Sequence, residues 1–191
     1  MSEPASLIVS CRIAPDRLAQ ALAARGPRVT DWSDWHLLGA GITAAELAGL
    51  DLQVAASTGE ILRRLRASAE RPADWLFAHD ADRQSLTIGQ TLFSDSWMTI
   101  IPVLAALRRL GAVLRPDDRG VVLVHDWVFG RRGTLAALDL FGAGSAIIPA
   151  GMAGPDAQAL AASVLPPIRQ AVRQGLIAPL RDDLDGLIGS R

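Results

Sequence analysis

Three consecutive strings decide the fold: VVLVHDWVF (121–129), GRRG (130–133) and TLAALDLF (134–141). Two runs dense in β-branched and apolar residues, joined by a four-residue loop bounded by glycines, read as an antiparallel β-hairpin. A second hairpin lies upstream. Trp75 to Asp80 reads as a strand, Ala81-Asp82-Arg83-Gln84 as a turn, and Ser85 to Phe93 as the return strand. Alternation puts Leu86, Ile88 and Gln90 on one face and Thr87, Gly89 and Thr91 on the other. Between the hairpins, Ile100, Ile101, Leu104, Leu107 and Leu110 recur at helical spacing, with Gly111 near the end. Pro102 fits a helix that starts near Thr99, where its missing N–H falls in the first turn. The order β-β-α-β-β with short connections favours a mainly antiparallel sheet built from β-hairpins and covered by helices on one face. This is an α+β domain rather than a parallel, doubly wound one.

The flanks extend this scheme. Ser6 to Ile13 is a strand, and Pro15 opens a helix whose apolar face is Leu18, Ala21 and Leu22, stopped by Gly26-Pro27. Arg28 to Leu38 mixes apolar and polar residues without a clear period. Thr43 with Glu46, and Ser57 with Glu60, are capping-box patterns. The second opens a helix to about Arg71, with Ile61, Leu62, Leu65 and Ala69 inward and Arg63, Arg64 and Arg66 largely outward. After Gly142 the chain turns rich in Gly and Ala, with a short strand expected over Ala146 to Pro149. From Pro155 two or three helical segments follow, broken by Pro166-Pro167, Gly175 and Pro179, with Ile168, Ala171, Val172 and Leu176 as an apolar stripe. Residues 1–150 are thus expected to form the α+β domain and 151–191 a helical C-terminal segment packed on it. That stripe also leaves room for a homodimer.

Composition bounds the function. With 191 residues, half of them hydrophobic, the chain can bury a sizeable core. Its formal net charge of -1 gives no general attraction to nucleic acid or anionic lipid. All 19 basic residues are Arg, and there is no Tyr. This bias, with abundant Ala, points to a high-GC bacterial genome. It also excludes a Schiff-base or P-loop lysine and a tyrosine acid. The lone Cys11 can form neither an internal disulfide nor a multi-thiolate zinc site. Ile8-Val9-Ser10-Cys11 has the look of a lipobox, but Met1-Ser2-Glu3-Pro4 is acidic and too few apolar residues precede the cysteine. With no apolar run of membrane-spanning length, a cytoplasmic location is expected.

Four constellations are candidates for chemistry or binding. Gly39-Ala40-Gly41-Ile42-Thr43-Ala44 matches the dinucleotide fingerprint G-x-G-x-x-A, yet Asp31, Asp34 and His36 precede it where a buried strand should stand. A loop and helix cap is the expectation, and no cofactor is assigned. His79-Asp80 and His125-Asp126 both fall in strands. Were those strands neighbours, two imidazoles with Asp80, Asp82, Asp95 or Asp126 could hold a divalent metal, as in a small metal-dependent hydrolase. Ser94-Asp95-Ser96 precedes a helix and reads as a cap rather than a nucleophile, since no G-x-S-x-G elbow is present.

The fourth is the aromatic set Trp32, Trp35, Trp75, Trp97 and Trp127. Trp75 and Trp127 stand in apolar strands and read as core. Asp31-Trp32-Ser33-Asp34-Trp35 is polar enough to stay at the surface, where tryptophan anchors contacts. Arg63-Arg64, Arg108-Arg109 and Arg131-Arg132 read as solvated faces, and without interleaved aromatics they give no nucleic-acid signature. The leading expectation is a non-catalytic binding or regulatory protein of the bacterial cytoplasm, of immunity or accessory type. It would meet a protein partner through Asp31, Trp32, Asp34 and Trp35. The alternative is the hydrolase built on His79 and His125.

Overall fold

The structure, a computed structural model, describes residues 4–51, 56–126, 133–149 and 154–189. Among them a six-stranded, wholly antiparallel sheet runs in the order β2-β3-β1-β4-β5-β6. Its strands are β1 (Ala5–Arg12), β2 (Trp75–Asp80), β3 (Ser85–Ser94), β4 (Arg119–Asp126), β5 (Gly133–Phe141) and β6 (Gly144–Ile148). Both hairpins form, although Gly133, expected in the loop, opens β5 opposite Asp126. β1, buried along most of its length, inserts between them. The expected end of the strand, Trp127 to Phe129, and the loop residues Gly130 to Arg132 lie outside the described residues.

One face of the sheet carries Leu7, Val9, Trp75, Phe77, Ile88, Val122, Val124 and Leu138. Packed on it are α1 (Pro15–Ala23), α2 (Ala44–Leu50), α3 (Thr58–Ala67) and α4 (Trp97–Val113), with 3-10 turns at Val29–Asp31 and Asp34–Leu38. The helices do not stay on that side. α5 (Gly154–Arg173) covers the opposite face, where Ile8, Leu123 and Ala137 meet Ala161, Val164, Leu165 and Ile168. The chain then returns, and α6 (Leu184–Gly189) buries Leu184 in the first core. The C-terminal segment therefore straddles the sheet, and the architecture is a layered helix–sheet–helix arrangement with an unequal second helical layer. No helix among the described residues is long and apolar enough to cross a membrane.

Two proline expectations are corrected. α4 starts at Trp97, two residues before the expected Thr99, so Pro102 sits in its second turn; the buried run Ile100–Arg108 holds the helix regardless. α5 runs unbroken through Pro166 and Pro167. Both prolines are exposed while Leu165 and Ile168 beside them are fully buried, so packing of the inner face outweighs the lost N–H groups on the outer one.

Both edges of the sheet meet irregular chain. At β2, Phe77 N donates to Arg181 O at 2.9 Å and Asp183 N to Phe77 O at 3.0 Å. Arg181 Nη2 also donates to His79 O at 2.7 Å. At β6, Ile147 N donates to the Asp34 carboxylate at 3.1 Å.

Candidate functional site

The segment Val29–Leu38 folds as two 3-10 turns because its apolar residues, Val29, Trp35 and Leu38, are spaced to reach inward from a tight coil. Trp35 is buried, and its Nε1 donates to Val29 O at 2.8 Å. Trp32 is half-buried and meets Trp35 edge-on, with centroids 6.2 Å apart. Against both rings lies a residue from another element. The Arg108 guanidinium, fully buried, stands 4.8 Å from the Trp32 ring and 4.6 Å from the Trp35 ring. Its Nη2 donates to both oxygens of Asp34 at 2.8 Å. Burial pushes the Asp34 carboxyl up, but the bonds from Arg108 and the Ile147 amide, with the Arg108 charge, outweigh it and hold it below its ordinary value. Asp31 is exposed and caps its own turn, accepting from Arg28 N at 3.0 Å.

The four residues expected to bind a partner therefore divide. Trp35 belongs to the core, and most of the Asp34 carboxylate is committed to Arg108 and the sheet edge. Trp32 and Asp31 remain partly or wholly at the surface. Arg108 corrects the reading of Arg108-Arg109 as a solvated pair. The signal was present, since Arg108 stands four residues after Leu104 and seven after Ile101, on the buried stripe of α4.

The two histidines do not converge. β2 and β4 are separated by β3 and β1, about 14 Å at roughly 4.8 Å per strand. They also face opposite ways. His79 shares the face of Trp75 and Phe77, and its Nε2 lies 3.0 Å from Ile13 O. His125 shares the face of Leu123 under α5, with Nδ1 at 3.0 Å from Thr134 Oγ1. Burial pushes the His125 imidazole below its ordinary value despite the nearby Asp126 charge. Asp80 accepts from the amides of Asp82 and Arg83 at 3.1 and 3.0 Å and shapes the hairpin turn. Among the described residues no group of three His, Cys, Asp or Glu side chains is placed to hold a metal ion.

The remaining motifs resolve locally. Thr43 and Glu46 form the complete capping box that opens α2. Gly39 and Gly41 take positive φ in the loop before it, and a 3-10 turn rather than a strand leads into them, so the fingerprint lacks its context. Ser96 caps α4 without a side-chain bond; Ser94 Oγ instead accepts from Ser96 N at 3.1 Å. Cys11 is buried against the first core, and burial, then the Asp118 charge, pushes its thiol up to about 12. No protein-family model matches the chain, and neither the curated proteins nor the solved structures contain a match.

Proposed function

We propose that this chain is a non-catalytic binding or regulatory protein of a bacterial cytoplasm, of immunity or accessory type, acting by contact with another protein. One observation carries the reading: Trp32 is held at the surface, stacked over a guanidinium that is itself fixed by Asp34 and Trp35. A large aromatic ring at a surface, already ordered before binding, gives contact area at little further entropic cost. Asp31 beside it supplies polar character at the rim. The separation of His79 from His125 supports the same reading, because the groups best suited to hydrolysis serve the two sheet faces separately. Self-association falls to the chain after α5, where Leu176, Ile177 and Leu180 are exposed.

The test is capture from native lysate by the tagged protein, beside Trp32→Ala and Asp31→Arg, each checked for a cooperative melt well above the assay temperature. One stoichiometric protein, retained by the parent and lost by both variants, is expected. Retention indifferent to both substitutions overturns the reading. So does hydrolytic activity of the purified chain that falls with His79→Ala or His125→Ala.

A further inference from the structure

A cleft lies on the other side of the sheet, where α5 passes the end of β3 and the 3-10 turn Pro72–Asp74. Its volume is about 160 Å³, and it is lined by Asp74, Thr91, Leu92, Arg169, Val172 and Arg173. Its floor is polar and nearly sealed: Asp74 is 3% exposed and Thr91 is 2% exposed. Thr91 Oγ1 donates to Asp74 Oδ1. Among the described residues no cation pairs with this carboxylate, although two arginines, Arg169 and Arg173, line the same cleft. Arg169 and Arg173 stand four residues apart on α5, one half-buried and one exposed, and neither makes an ion pair among the described residues. They also line a wider outer cleft with Pro166 and Gln170.

A buried carboxylate is costly unless a cation or donors satisfy it. Two guanidinium groups on successive turns favour a carboxylate between them. The cleft lining brings both demands together, with the apolar Leu92 and Val172 beside them. We propose that it binds a small zwitterion of the α-amino acid class. The ligand's ammonium group meets Asp74, its carboxylate meets Arg169 and Arg173, and a short apolar side chain lies against Leu92 and Val172. The volume is below that of drug-sized pockets, which fits a ligand of few heavy atoms. A purely anionic ligand would face Asp74 unpaired, and a purely cationic one would face the arginines.

Calorimetric titration of the full chain with L-valine, isovalerate, isobutylamine and inorganic phosphate tests this. Saturable one-to-one binding of L-valine is expected, weakened by about tenfold or more when either charged group is missing. Asp74→Asn keeps an acceptor for Thr91 and should weaken L-valine binding by a similar factor. Arg169→Gln, at a half-buried position, should do the same without disturbing the fold. Absence of saturable L-valine binding overturns the proposal. So does phosphate or isovalerate binding as tight as L-valine and indifferent to Asp74→Asn, which marks an anion patch only.

Discussion

Arg108 and Asp34 form a charged pair whose two halves live in different surroundings: the guanidinium side chain has no exposure, while the carboxylate retains 26% of its own. The pair ties the middle of α4 to a 3-10 turn 74 residues earlier in the chain. Removing Asp34 alone strands a buried cation, so Asp34→Asn should cost about 3 kcal/mol. Arg108→Met with Asp34→Asn should cost clearly less than the sum of the single changes. Urea unfolding of the three variants measures the coupling, and strict additivity would show that the two groups act separately.

The tryptophans should part in their effects. Trp35→Ala empties a core position and removes a buried hydrogen bond, for about 3–5 kcal/mol. Trp32→Ala, at a half-buried ring, should lower stability much less while abolishing capture of a partner. Thermal melts and capture assays on the same preparations separate the two roles.

His125 sets a pH dependence. Its folded pKa lies below the unfolded value, so the unfolded chain takes up a proton that the folded chain resists. Stability should be steady above about pH 6.5 and fall on acidification below it, until the folded pKa is passed. Urea midpoints measured from about pH 7.5 to about pH 5 should show this slope, and His125→Gln should flatten it. The Asp34 carboxyl, held below its ordinary value, contributes its own loss only at more acid pH, as the pH falls through the usual carboxylate range and beneath it.

Glycine contacts separate two superficially similar substitutions. A Cβ at Gly111 would run into the carbonyl oxygen of Gly144, a backbone atom at the start of β6. Gly111→Ala should therefore destabilise by about 1–3 kcal/mol. At Gly89 the nearest atom is Ile168 Cδ1, 2.6 Å away at the far end of a flexible side chain. Gly89→Ala should cost less, and chemical denaturation of both ranks them.

Cys11 should report on unfolding. With its thiol pushed up to about 12 and its side chain buried, the folded protein should resist a thiol-directed alkylating agent at neutral pH. Labelling should track the unfolded fraction through a urea series. Rapid labelling without urea would show local opening of β1.

The hairpins and α4 were legible because burial on one face writes a period into the chain, as Leu86 and Ile88 show. The path of the C-terminal segment was not. Pro166 and Pro167 read as breaks, since a proline's local cost is visible in sequence while the sheet face that outweighs it is assembled from β1, β4 and β5. The candidate surface was half legible. Tryptophan beside aspartate marked the right segment, but only α4 reveals that Asp34 and Trp35 are occupied with Arg108. The zwitterion cleft left no local signal, because Asp74, Thr91 and Arg169 come from three separated stretches.

The covered borders of the sheet bear on how this chain meets other chains. An open outer strand offers a ladder of amides and carbonyls to any extended peptide, which permits recognition by strand addition and also invites fibre-like stacking. Here Arg181 and Asp183 occupy positions along β2, and Asp34 takes an outward amide of β6. Templated growth of the sheet is obstructed at both ends by the chain itself. Asp34, besides neutralising a buried cation, thus also stands in the way of strand addition at the β6 border.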